Sequence, residues 1–186
     1  MNDTLRAIAE RYSCRDFTDE PPSDEQLAAI AQAAIQSPSG VNRQYWHVVV
    51  VKNRELIADM DAEGMRILSE MDSASHERMM SRGGSLFYNA PTMIVVAIKQ
   101  AQPPGAELYD CGILAQNVAL AATSLGLDNL ICGLTIYAFA GDKAAEFKAR
   151  LGFPDGYECG LAVLLGHAKT PSTPHVPDQA KITIID

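Results

Sequence analysis

Two arginines four residues apart, Arg11 and Arg15, flank Ser13, with Tyr12 alongside. A guanidinium grips phosphate or carboxylate through paired, charge-assisted hydrogen bonds, each worth roughly 1.5–3 kcal/mol once desolvated. At i and i+4 the pair would share one face if the preceding helix continued. The same residues also fit a solvated helix end whose arginines pair with Glu10, Asp16 or Asp19. A second polar run, Pro38-Ser39-Gly40-Val41-Asn42-Arg43-Gln44, has the composition of a connecting turn. Cys14, Cys111, Cys132 and Cys159 are widely separated, and His47, His76, His167 and His175 are equally scattered. That spacing predicts reduced, packed thiols and no metal centre. No GxGxxG follows a strand, and HExxH, GxSxG and the Walker phosphate loop are missing, as is any nucleophile–base pair. The hard chemistry is therefore expected from a bound cofactor.

These residues hang on an alternation of helices and short apolar strands. A helix is expected over residues 4–12, with Leu5, Ile8 and Tyr12 on one face, then a loop over 16–22 closed by Pro21-Pro22. Ser23 and Gln26 form a capping-box pair ahead of Leu27, Ile30, Ala34 and Ile35, and that helix ends at Ser37-Pro38. Trp46–Val51 reads as a buried strand whose first residues, Trp46 and His47, are expected to pack. Residues 54–80 read as helix, with a Gly-rich break from Ser81 to Ser85 and a strand over Thr92–Ile98. The clearest helix spans 107–125, with Gly126 as its C-terminal cap. An apolar stretch over Leu130–Ile136, a helix over Asp142–Leu151 and a strand over Cys159–Leu165 follow. After a Pro- and Thr-rich tail (168–179), Lys181–Ile185 alternates like an edge strand. The pattern implies an α/β or α+β sandwich with the sheet between helices.

Composition narrows the function. At 186 residues one domain is the default, spanning 1–186. A net charge of −8 argues against nucleic acid or an anionic membrane as partner, though not against one small phosphorylated ligand. No apolar run approaches the roughly 20 residues of a membrane span, and the first residues lack the apolar centre of a signal peptide, so a cytoplasmic protein is expected.

Arg11-Tyr12-Ser13-Cys14-Arg15-Asp16-Phe17 resembles the opening of the FMN-dependent nitroreductase family, and Pro38-Ser39-Gly40-Val41-Asn42-Arg43-Gln44-Tyr45-Trp46-His47 resembles its second signature loop. Ala90-Pro91, Asp110 with Gly112, Gln116-Asn117, Leu125-Gly126-Leu127, Ile131-Cys132-Gly133 and Leu165-Gly166-His167 follow in the family's order. Tyr45 stands where the family usually has proline.

The resemblance implies an α+β fold with a central mixed β-sheet flanked by helices, and a homodimer that exchanges its C-terminal strand, with 168–186 as the spanning tail. It implies FMN as cofactor and NADH or NADPH as co-substrate. Arg11 and Ser13 would serve the phosphate end, Tyr12 between them would belong to the cofactor site, and Arg15 would serve the flavin edge where reduction builds negative charge. Pro38, Ser39, Gly40 and Asn42 would reach the flavin bound in the other subunit. Cys132 and Gly133 would face flavin N5 through the backbone, the Cys132 side chain being either a redox thiol or a packed bystander. His175, Lys169 or Lys181 would complete the phosphate site. Arg82 falls where the family has basic or amide residues, and residues 54–85 would cover the substrate slot. The implied reaction passes hydride from NAD(P)H to a nitroaromatic, quinone or similar acceptor in ping-pong order. Alternatives on the same fold are a reductive dehalogenase-like or flavin-consuming enzyme, or a flavin-binding sensor without turnover.

Overall fold

The computed structural model describes residues 1–102 and 104–185. Helix α1 (Asp3–Glu10) is capped by the Asn2 side chain and stops two residues before its expected end. Helix α2 (Asp24–Ile35) begins with the expected reciprocal capping box between Ser23 and Gln26. Strand β1 (Trp46–Val51) leads into α3 (Arg54–Met71) and α4 (Ser73–Met80). The single helix expected over 54–80 is thus two helices. Asp72 leaves the helical basin (φ −148°, ψ 81°) and turns its carboxylate onto the Ser75 amide, ending one helix and capping the next.

Strand β2 (Thr92–Lys99), helix α5 (Ala106–Ser124), strand β3 (Asp128–Cys132), helix α6 (Ala144–Leu151) and strand β4 (Tyr157–Gly166) complete the frame. The apolar stretch expected over 130–136 divides at Cys132, where β3 gives way to a 3₁₀ turn over Gly133–Phe139.

The strands lie in the order β1-β2-β4-β3, and every neighbouring pair is antiparallel. The α+β class expected from the sequence holds. The four strands are antiparallel throughout rather than mixed, and among the described residues one isolated parallel bridge, Ser13 to Asn129, flanks the β3 edge. Successive β2 side chains enter opposite cores, as strand pleating requires. Met93 and Val95 join Met60, Leu68, Phe87, Phe147 and Leu164 on one face, under α3, α4 and α6. Ile94, Val96 and Ile98 join Ile30, Leu114, Val118 and Val163 on the other, under α2 and α5. Gly160 is the extra residue of a β4 bulge opposite Val96 and Ala97, where a Cβ would meet Cys111 Sγ at 2.8 Å and the Val96 carbonyl at 3.1 Å. Only glycine fits there.

Two further expectations are corrected. Trp46 is buried, but His47 points outward and does not pack. Lys181–Ile185 forms no strand: a 3₁₀ turn covers Gln179–Lys181, and Ile182, Ile184 and Ile185 are exposed by 66%, 83% and 90%. An alternating segment becomes a strand only against a neighbouring edge, and within one chain this tail meets none.

Candidate functional site

The N-terminal arginine block is laid out by β3 rather than by a helix. Because α1 ends at Glu10, the i,i+4 helical face expected for Arg11 and Arg15 does not form. Instead the Cys14 amide donates to the Asn129 carbonyl and Ser13 bridges Asn129 in parallel, so the segment runs along the free edge of β3. Arg11 lies beside the start of β3, lining a crevice of about 30 Å³ with Tyr12, Asp128 and Asn129. That is room for a water molecule, not a phosphate. Arg15 lies at the far end, where it lines a pocket of about 220 Å³ with Ile131, Cys132 and Gly133. In an extended run residues four apart are separated by about 13 Å, and alternate side chains share a side.

Several groups fix this segment. The Tyr12 hydroxyl donates to Asp128 Oδ1 at 2.6 Å, and Asp128 Oδ2 accepts from the Ala168 amide at 2.7 Å. Burial, then that carboxylate, push the Tyr12 phenol up to about 12, so it stays a donor at any ordinary pH. Cys14 and Phe17 anchor in the core below. The Arg15 guanidinium reaches back to the Ser13 carbonyl at 3.3 Å.

The other walls of the pocket come from α4 and the turn that follows: Ser75, Arg78, Met79, Arg82, Leu86 and Tyr88. Tyr88 and Asn89 both adopt left-handed backbone (φ 50° and 57°), a strained arrangement for an aromatic residue. Asp61 holds it, accepting from the Leu86 amide at 2.7 Å and the Phe87 amide at 3.2 Å. Burial raises the Asp61 carboxyl above its usual range, and its hydrogen bonds to the Ser85 side chain and those amides oppose the rise. The Tyr88 hydroxyl meets the Met79 thioether at 3.6 Å, a weak acceptor.

Cys132 lines the pocket, its thiol donating to the carbonyl of Leu86, another lining residue, at 3.6 Å. Burial pushes that thiol up, which keeps it protonated. Of its two readings, the packed bystander fits this setting, because thiolate chemistry needs a depressed value.

Pro38, Ser39, Gly40 and Asn42 do not line the pocket. Their loop lies beside α5 and is strained, with Val41, Asn42 and Gln44 all left-handed (φ 47°, 56° and 50°). Ser39 Oγ accepts from the Gln44 amide at 2.9 Å, Asn42 Oδ1 from Gln44 Nε2 at 3.0 Å, and Asp110 Oδ1 from the Gly40 amide at 3.3 Å. From two turns further along α5, Asn117 donates to Ser37 Oγ at 2.9 Å. Beside this loop α5 exposes Leu108, Tyr109 and Ile113. His175 and Lys181 are exposed in the tail, and Lys169 faces Asp16 (3.8 Å) over a separate polar crevice.

Sequence reasoning missed Arg78, Tyr88, Asp61 and Leu134. Arg78 had a signal, its four-residue spacing from Arg82. The role of Tyr88 depends on a positive φ that composition does not announce. Among the described residues no helix is long and apolar enough to cross a membrane, and no three metal-ligating side chains converge.

The chemistry of this donor set suits FMN. Leu86, Leu130 and Leu134 give an apolar wall for a flat ring, the backbone at Ile131–Gly133 lies beside it, and Arg15 supplies charge at the rim. Comparison with known proteins agrees. The model of the nitroreductase family matches residues 8–167. An FMN-bound nitroreductase crystal structure from Desulfitobacterium hafniense DCB-2 is 61% identical, covers 100% of both chains and superposes with a TM-score of 0.96. An FMN-dependent nitroreductase from Clostridium difficile R20291 is 25% identical over 99% of both chains, with a TM-score of 0.82. The NADPH-flavin oxidoreductase of Vibrio harveyi is 28% identical over 167 residues, 90% of this chain and 66% of that protein.

Proposed function

This chain belongs to the nitroreductase family, and on that premise we propose that it is an FMN-dependent NAD(P)H oxidoreductase acting as a homodimer on electron-poor acceptors. The observation that carries the reading is the arginine block drawn out along β3. It offers Arg11 and Ser13 near one end and Arg15, beside Cys132 and Gly133, at the other. FMN has that shape, a phosphate dianion separated by a ribityl chain from a ring that gains negative charge on reduction. When bound, FMN supplies the hydride relay, from NADH or NADPH to a nitroaromatic, quinone or similar acceptor in ping-pong order.

The chain's own residues bind, orient and exclude water. Arg11 and Ser13 hold the phosphate on the outer side of β3, and Arg15 sits where charge develops, so it favours the reduced state more than the oxidised one. Leu86, Leu130 and Leu134 keep the ring's surroundings dry. The backbone at Cys132–Gly133 orients N5. The loop of Pro38, Ser39, Gly40 and Asn42 closes the site in a second copy: it lies away from its own pocket, beside an exposed apolar stretch of α5, and is already held in a strained shape. The tail crosses in the same way, its exposed isoleucines pairing with the partner as the exchanged strand. No side chain is required as acid or base.

Purified protein with the yellow absorbance of bound flavin, bleached by NAD(P)H without oxygen and restored by a nitroaromatic, is the expected result. Colourless protein that takes up no added FMN contradicts the reading. Flavin that binds but is not reduced points instead to the sensing dimer.

A further inference from the structure

The pocket's second feature is an excess of unpaired positive charge. Among the described residues Arg6, Arg54, Arg66 and Arg150 are each within 4 Å of a carboxylate. The other five have no such ion pair; Arg11 and Arg43 lie elsewhere, and Arg15, Arg78 and Arg82 all line the same pocket, which no carboxylate lines. They come from different elements: Arg15 from the β3-edge segment, Arg78 from the last turn of α4 and Arg82 from the turn beyond it. Arg78 is aimed by a relay, donating to Ser75 Oγ at 2.6 Å while Ser75 donates to the Asp72 carboxylate that caps α4. A cation in the last turn also complements the helix dipole, which alone would account for Arg78. It accounts for neither Arg82 nor Arg15. In a chain of net charge −8, three convergent unpaired guanidiniums are a local reversal of sign. Reduced flavin adds a single negative charge at its ring, which Arg15 meets.

We propose that Arg78 and Arg82 form an anion-recognition edge of the substrate slot, so that the site prefers aromatic substrates bearing a carboxylate or sulfonate over neutral isosteres. The substrate ring would lie against the flavin that Leu86, Leu130 and Leu134 wall in, and the arginine edge takes the anion. All three arginines are exposed, so the preference acts at the rim and is screened by salt. The proposal rests on the pocket being the slot of the flavoenzyme described above.

The test compares benzoate with benzamide, near-isosteric and unreactive probes, on flavin-loaded protein by calorimetry and by perturbation of the flavin spectrum. At an exposed rim each charge contributes roughly two- to fivefold. Benzoate is therefore expected to bind about tenfold tighter than benzamide at low ionic strength, shrinking to about twofold in 0.5 M salt. Arg78→Gln and Arg82→Gln should each remove about threefold of the preference while leaving FMN affinity and thermal midpoint unchanged, and Arg82→Lys should restore most of it. Equal affinities for the two probes in the wild type overturn the proposal. So does an unchanged preference in both glutamine variants, and so does a loss of FMN affinity in its place, which would assign these arginines to the flavin. Wild-type protein that binds no FMN refutes the proposed function, and with it the slot that this edge would serve, whereas flavin-loaded protein with equal probe affinities refutes the arginine edge alone.

Discussion

Asp61 is the most exposing single position, because it touches no ligand and yet holds the wall that does. Asp61→Ala leaves the Leu86 amide, which donates to it at 2.7 Å, without a partner, and leaves the Phe87 amide only Ser85 Oγ at 3.2 Å, beneath the strained Tyr88–Asn89 turn. One buried amide left unsatisfied costs about 1–3 kcal/mol, and the half-buried position lets some water in, so the loss is about 1–3 kcal/mol. For a chain of this length that is roughly 2–12 °C in Tm. Asp61→Asn keeps an acceptor oxygen and removes a carboxylate that burial disfavours, so it should lie within about 1 kcal/mol of wild type. The sign with pH follows. The folded state raises the Asp61 carboxyl above its unfolded value of 3.8. Its stabilising contribution is therefore greatest below that value and falls as pH rises through the raised one. Asp61→Asn should thus gain on wild type between acid and neutral pH. Guanidinium unfolding of both variants across pH, with an FMN titration at neutral pH, gives the readings. An Asp61→Ala protein within 0.5 kcal/mol of wild type, or an Asp61→Asn protein as damaged as Asp61→Ala, would refute the reasoning.

Three further outcomes are expected. Cys132→Ala should retain NAD(P)H-dependent turnover, and the wild-type thiol should resist iodoacetamide at pH 7, because burial raises it; abolished turnover would make it more than packing. Glu63 is buried and held below its usual range by Arg66, whose guanidinium donates to it at 2.7 and 3.1 Å. The stability it adds is present above the ordinary value of 4.5 and lost as pH falls through the lowered one, so Glu63→Gln should unfold earlier at pH 7, with the gap closing in acid. Asp110→Ala should weaken FMN binding severalfold with little change in thermal midpoint, and Asp110→Asn should restore it, because the Gly40 amide needs only an acceptor; a fall in midpoint without loss of affinity would make Asp110 purely structural.

Much of this layout was legible in the sequence wherever one residue dictates its own surroundings. Ser23 and Gln26 announce the start of α2, and Gly126, left-handed at φ 75°, marks the end of α5. The strand residues of β1 and β2 follow their apolar runs. The arginine block was legible as chemistry, but its geometry was not: the end of α1 at Glu10 turns a helical spacing into an extended one. Asp72 was overlooked as a cap because methionines continue on both sides of it, giving 54–80 the look of one helix. Tyr88 and Asp61 were invisible, since their roles depend on a left-handed turn and a contact 25 residues away. The isoleucines of 182–185 carry strand alternation, and what they lack is an edge to pair with in the same chain.

The central claim is that each flavin is held by the arginine block of one chain and the 38–42 loop of another. Mixed dimers test it, one chain carrying Arg15→Gln and the other Asn42→Ala, isolated through different affinity tags. Each parent homodimer should bind FMN weakly. If the loop acts in the partner's pocket, one site of the mixed dimer carries both substitutions and the other carries neither. One FMN per mixed dimer should then bind with wild-type affinity. If the loop serves its own pocket, every site carries one substitution; a mixed dimer with no wild-type site contradicts the account.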